Sequence, residues 1–256
     1  MSTDLVQIAY DLKFTTPFHC GTGIRAGLVD RTVVRDGAGY LYVPGSTLKG
    51  VLRERCEQLA RMYTLEKASI TSPHDAEAAL YGLGQQSPTL VTRIFGTQNV
   101  PGRLYFDDAR QSDEEQQQYD SPEQGGKGKY QSMQVDLYTQ VRLDRPTRTA
   151  VPGALYTSEF GINDIVLQGS VLGWLTCEAI EIEGQAPSYA LLLLLAGLHM
   201  LDRLGGNKST GKGHCACTIT RLRVNGQDIS SDLWHSWLMQ LGRLADYDYI
   251  DKEARV

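Results

Sequence analysis

The sequence predicts an α+β protein, on three observations. Val6–Phe18 alternates, is rich in Tyr, Leu and Phe, and stops at Pro17-Phe18 before glycines, as a strand does. Pro187–Leu204 is strongly apolar and reads as a core helix. His214–Val224 alternates again and reads as a strand that finishes the sheet.

The elements between follow in order. After the first strand, 21–39 is punctuated by glycine and holds the apolar pairs Leu28-Val29 and Val33-Val34. Leu41–Val43 leads into Pro44-Gly45-Ser46, a turn with Ser46 as the expected N-cap of a helix. Leu48, Val51, Leu52 and Leu59 mark the buried face of that helix, to about Met62. Residues 63–100 read as irregular, with Ala76–Leu83 the best further helix. Leu104–Phe106 begins a short strand. Arg110–Gln134, rich in Gln, Glu, Asp, Gly and Ser, reads as a long exposed insertion. Leu155–Phe160 and Ser170–Ala179 resume strand patterns, and Trp234–Leu244 is a last helical stretch.

The gross order is strand, helix, strand, strand, helix, strand. It suits a ferredoxin-like (RRM-like) sandwich, with helices on one face of the sheet and the other face free to meet RNA. One domain over 1–256 is expected, with insertions at about 63–100 and about 110–150.

Composition narrows the class. A chain of 256 residues with 41% hydrophobic and 21% charged residues is that of a globular protein. Met1–Lys13 carries acids and no signal-peptide core, and the greasy run Ala190–Leu198 is too short to span a bilayer. Five scattered cysteines suggest no disulfide framework, so a cytoplasmic location without membrane attachment is expected. The net charge of −5 argues against nucleic acid, but its distribution does not. Acids crowd into Asp107–Glu123, whereas Arg203–Arg223 holds Arg203, Lys208, Lys212, Arg221 and Arg223 with no acid.

Three loops carry the candidate chemistry. In Gly21-Thr-Gly23-Ile-Arg25-Ala-Gly27-Leu-Val-Asp30 the glycine spacing is wrong for a dinucleotide loop. A connecting loop is one reading; close approach of backbone to phosphate, neutralised by Arg25, Arg31 and Arg35, is the other. Asp30 is a turn residue or a carboxylate for a hydrated Mg²⁺ at a scissile phosphate. In Pro44–Arg53 the helix N-terminus at Ser46 is a natural phosphate site, and Lys49 and Arg53, four apart, share a face. Gly205–Gly213 resembles a nucleotide phosphate loop, but Gly213 stands where a hydroxyl must follow Lys212, and the loop runs from helix to strand. No nucleotide cofactor is therefore expected. A surface hairpin is one reading of it; an RNA-backbone clamp through Lys208, Ser209, Thr210 and Lys212 better explains its residues. His214, Cys215 and Cys217 lack a partner cluster, so no structural zinc is expected.

Together these segments resemble the RAMP superfamily of CRISPR proteins. The resemblance rests on Gly27-Leu-Val-Asp30, Tyr42–Arg53, Ile94-Phe95-Gly96, Val141-Arg142-Leu-Asp144-Arg145 and Gly205–Gly213. It is greatest to the repeated backbone subunit (Csm or Cmr kind) of type III effector complexes. The resemblance implies an RRM-like palm and a thumb β-hairpin near Tyr138–Arg148, with Arg142, Arg145 and Arg148 near a guide–target duplex. It implies guide crRNA, complementary target RNA, other copies or homologous RAMP subunits, a large polymerase-like subunit and small helical subunits as partners. It also implies Asp30 as the catalytic and metal-binding residue of an endoribonuclease, with Mg²⁺ or Mn²⁺ transient on target RNA. Three alternatives stay open: a non-catalytic guide-binding or end-capping subunit, a stand-alone guide-processing ribonuclease using His19, and an assembly protein that binds no RNA.

Overall fold

Alternate residues of the first strand go into the core. In β1 (Ser2–Phe14), Val6, Ile8, Tyr10, Leu12 and Phe14 are each at most 1% exposed, while Leu5, Gln7, Ala9, Asp11 and Lys13 lie on the other face. A computed structural model describes residues 1–63, 89–97, 100–119, 134–182 and 184–247; the helix expected at Ala76–Leu83 lies outside them. β1 is central. It pairs antiparallel with β5 (Val166–Cys177) and with β6 (Cys215–Val224). β2 (Leu104–Phe106) pairs antiparallel with β5, and β7 (Gln227–Ile229) with β6. The five-stranded order is β2-β5-β1-β6-β7. β3 (Val135–Asp144) and β4 (Thr149–Gly161) form a separate two-stranded hairpin. The α+β class is therefore as expected.

Two helices pack against the buried face. α1 (Gly45–Tyr63) presents Leu48, Leu52, Cys56 and Leu59. α4 (Tyr189–His199) is buried from Tyr189 to Leu198. Leu191 to Leu195 are fully buried, each contributing roughly 1.5–3 kcal/mol. The Ser188 hydroxyl accepts from the Leu191 N–H and starts the helix. α2 (Leu90–Phe95) adds Leu90, Val91 and Ile94 to the same core. On the open face, Tyr105, Leu172 and Trp174 are exposed.

Several boundaries differ from the sequence reading. β1 stops at Phe14 rather than Phe18; Phe18 folds back to stack on Phe14, with ring centres 3.9 Å apart. The apolar stretch at Pro187–Leu204 is helical only to His199. α1 starts at Gly45, so Ser46 lies in the first turn rather than at the cap. β6 does not finish the sheet: Asn225 and Gly226, with φ of 53° and 82°, turn the chain into β7. The polar insertion carries α3 (Asp113–Tyr119). Its flanks are tied inward, since buried Gln134 donates to Gln111 at 2.7 Å and accepts from the Leu41 N–H at 3.0 Å.

Candidate nucleic-acid interface

Strand direction gathers the loops. Lys13 stands opposite Val166, and Phe14 opposite Cys215. The end of β1 therefore meets the beginnings of β5 and β6. The loop after β1, the hairpin before β5 and the glycine loop before β6 must all emerge at this one end of the sheet.

The glycine loop clasps the chain that leaves β1. Gly206 donates its N–H to the His19 carbonyl at 2.8 Å, and Gly213 to that of Pro17 at 2.9 Å. The His214 N–H donates to Thr16 Oγ1 at 2.8 Å, and Arg31 Nη1 to Asn207 Oδ1 at 3.1 Å. Gly205 has a φ of +88°, and a Cβ there would stand 2.6 Å from the His19 oxygen, so the approach needs glycine.

Asp30 is fixed on the hairpin. Its Oδ2 accepts from the Thr157 N–H at 2.9 Å, and its own N–H donates to the Thr157 carbonyl at 2.9 Å. Its Oδ1 faces Arg25 Nε at 3.5 Å. Beside it opens a cleft of ≈ 360 Å³, lined by His19, Gly21, Gly23, Asp30, Arg31 and Gly206. His19 donates from Nδ1 to the Glu159 carbonyl at 2.8 Å. Burial holds its pKa below the ordinary value; that hydrogen bond opposes the shift and the Arg31 charge adds to it.

The remaining residues of interest divide by position. Arg35 faces Glu159 at 3.8 Å, and Glu159 also accepts from the Val33 N–H. Lys208 faces Glu54 of α1 at 3.8 Å. Ser209 and Thr210 lie in an exposed 3₁₀ turn. Lys212 Nζ stands 4.0 Å from the Tyr138 ring centre on the hairpin. Arg142, Arg145 and Arg148 are exposed at the hairpin tip. The contacts of α1 at its start run elsewhere: Lys49 to the Phe106 ring at 5.7 Å, Arg53 to Glu57 at 2.9 Å and the Gly96 carbonyl at 3.2 Å. The helix N-terminus near Ser46 holds a carboxylate of the chain itself, since the Gly45 N–H donates to Asp108 Oδ1 at 3.0 Å. The Arg203–Arg223 cations also meet acids, Arg221 and Arg223 both gripping Asp228 of β7 at 2.8 Å across the β6–β7 turn.

Among the described residues, no group of three His, Cys, Asp or Glu could hold a metal. Asp30 supplies one carboxylate, already shared with Thr157 and Arg25. That donor set does not suit a resident ion. It suits a hydrated Mg²⁺ or Mn²⁺ held mainly by substrate phosphates, which needs only one or two carboxylates from a protein.

Fold and site thus define an α+β protein with a glycine-clamped cleft, lined by Asp30 and Arg31, at one sheet end beside a separate β-hairpin. The chain belongs to the RAMP superfamily, whose family model matches residues 11–216. Among curated proteins none matches this sequence. Two solved structures are similar in fold at 13% identity. One is described as the type III-B Cmr-beta complex bound to cognate target RNA, with a TM-score of 0.52 over 83% of this chain and 96% of that one. The other is the apo state of type III-B Cmr-beta, with a TM-score of 0.53 over 84% and 97%. No helix among the described residues is long and apolar enough to cross a membrane.

Proposed function

We propose that this chain is a backbone subunit of a cytoplasmic type III CRISPR ribonucleoprotein. It holds guide crRNA along the glycine-clamped cleft and cleaves complementary target RNA beside Asp30. The observation that carries this reading is the placement of Asp30: a carboxylate pinned to the hairpin base by Thr157, on the wall of a cleft shared with Arg31 and the glycine loop. Similarity in fold to chains of type III-B complexes supports it. Its partners are guide and target RNA, neighbouring copies or homologous RAMP subunits, and the large and small subunits of such a complex.

Each residue has a role that follows from its position. The backbone N–H groups and cations of the two loops hold phosphates. Arg142, Arg145 and Arg148, on the hairpin, reach the duplex. The hairpin aligns a target ribose 2′-hydroxyl behind its own phosphate, so positioning lowers the barrier. Asp30 would hold and orient a hydrated Mg²⁺ or Mn²⁺ ion. The ion, when bound, supplies charge stabilisation at the phosphate oxygens. The products carry a 2′,3′-cyclic phosphate and a 5′-hydroxyl.

One observation favours a second reading, a non-catalytic structural subunit. Both Asp30 oxygens are already engaged, as those of a loop clamp would be. Incubating the purified complex with complementary RNA in Mg²⁺ and in EDTA separates the two. Metal-dependent cuts at regular spacing support the nuclease; intact target under both conditions supports the structural subunit.

A further inference from the structure

We propose that His19 Nε2 accepts the proton of the attacking 2′-hydroxyl, so that the cleft carries a base as well as the Asp30 carboxylate. This rests on reading the cleft as the RNA-cleaving site.

The tautomer is set by the fold. A carbonyl only accepts, so the 2.8 Å contact with Glu159 requires the proton on Nδ1 and leaves Nε2 with its lone pair. The residue is 5% exposed, yet it lines the cleft with Asp30 and Arg31. Nε2 makes no hydrogen bond with any described residue. A Cβ on residue 21 would stand 2.6 Å from Nε2, so Gly21 leaves this nitrogen uncovered. The ring is held by Glu159 and lies 5.5 Å from the Phe160 ring, while the Gly206 N–H fixes the main chain of His19 through its carbonyl. A fixed, neutral imidazole with one open nitrogen in the cleft beside Asp30 and Arg31 is placed to receive a proton.

The charged groups around it are Arg31, Glu159 with its partner Arg35, Asp30 across the cleft, and Lys212 over the neighbouring Phe160 ring. Arg31 favours the neutral ring and Glu159 the protonated one, while burial favours the neutral ring most. In the step, the 2′-hydroxyl proton passes to Nε2 as the 2′-oxygen bonds to phosphorus. The bond from phosphorus to the 5′-oxygen breaks, and that oxygen takes a proton from water. The imidazolium then returns its proton to solvent.

The test uses the assembled complex with a complementary RNA, the same RNA carrying one 2′-deoxy residue at the cut site, and subunits carrying His19→Gln, His19→Ala, Gly21→Ala or Asp30→Ala. Wild type cuts the all-ribose target and spares the 2′-deoxy site. His19→Gln keeps guide and target binding but cuts at least about a hundredfold more slowly. Added imidazole raises the His19→Ala rate in proportion to its concentration, a response that a merely structural histidine does not give. Gly21→Ala, whose methyl would stand 2.6 Å from Nε2 and force the ring out of its place, slows cutting even if the His19 variants fail to assemble. Wild-type cutting rates in His19→Gln or in Gly21→Ala overturn the assignment, even where Asp30→Ala is inactive and the nuclease reading stands. Intact target with wild type, or cutting at the 2′-deoxy site, overturns both.

Discussion

The Lys212 ammonium lies 4.0 Å from the centre of the Tyr138 ring and 5.2 Å from that of Phe160. The two rings meet edge to face at 5.2 Å. One cation thus ties the glycine loop to the base of the hairpin, two segments far apart in the chain. A partly exposed cation–π contact contributes about 0.5–2 kcal/mol. Lys212→Met should raise amide exchange at the hairpin base and lower stability by about that much. A double-mutant cycle with Tyr138→Leu measures the coupling, and additive effects would show that the contact carries no energy.

The glycine loop should be sensitive at one glycine and tolerant at another. Gly213 has a φ of +74°, and a Cβ there would stand 2.1 Å from the Leu204 carbonyl oxygen; Gly211 has a φ of +81° with nothing near. Gly213→Ala is expected to cost about 2–4 kcal/mol, from clash and strain together. Gly211→Ala should cost about 1–2 kcal/mol, from the left-handed backbone alone. Urea unfolding of the two variants checks the order, and equal losses would contradict it.

A buried ion pair anchors the far side of the core. Arg93 faces Glu178 at 3.5 Å, with side chains 7% and 10% exposed, and donates to the Tyr247 hydroxyl at 2.6 Å. Arg93→Ala leaves Glu178 without this partner and is expected to cost about 3–5 kcal/mol. The double variant Arg93→Met with Glu178→Leu should recover much of that loss in thermal unfolding.

Stability should fall on mild acidification because of His19. Its folded pKa lies below the ordinary 6.5, chiefly through burial. Above pH 6.5 both folded and unfolded imidazoles are neutral and the full stability is present. As pH falls below 6.5 the unfolded state takes up the proton first, so stability is lost until the folded pKa is passed. Melting temperatures from pH 7.5 to 5 should therefore drop more steeply in the wild type than in His19→Gln.

The cations should differ in what they contribute to RNA affinity. Arg145, exposed at the hairpin tip, is free to meet a phosphate, whereas the Arg53 guanidinium is held by Glu57 and Gly96. Arg145→Ala should reduce the salt slope of RNA binding by roughly one phosphate contact, and Arg53→Ala by less. Equal slopes for the two variants would reverse that ranking.

What was legible in the sequence follows from how local each signal is. The alternation of Val6 to Phe14 and the Leu48, Leu52, Leu59 spacing located β1 and α1, because burial leaves a period in the chain itself. β2, α4 and β6 were located by the same kind of local pattern. The cap of α1 was not, since Asp108, far along the chain, takes the role assigned to Ser46. β7 was overlooked although Asn225-Gly226 is a hairpin signal that announces it. The acid-free run Arg203–Arg223 looked uniformly available in one dimension, yet Glu54 and Asp228 come to meet Lys208, Arg221 and Arg223 in three. The cleft position of His19 needed the tertiary fold, because Glu159 and Gly206, which hold it, are distant in sequence.

The most direct measurement is target cleavage by complexes assembled with wild-type or Asp30→Ala subunits, matched for guide content. The account predicts that the variant retains guide and binds target, while the cyclic-phosphate products at regular intervals vanish. Undiminished cutting by Asp30→Ala complexes would contradict it.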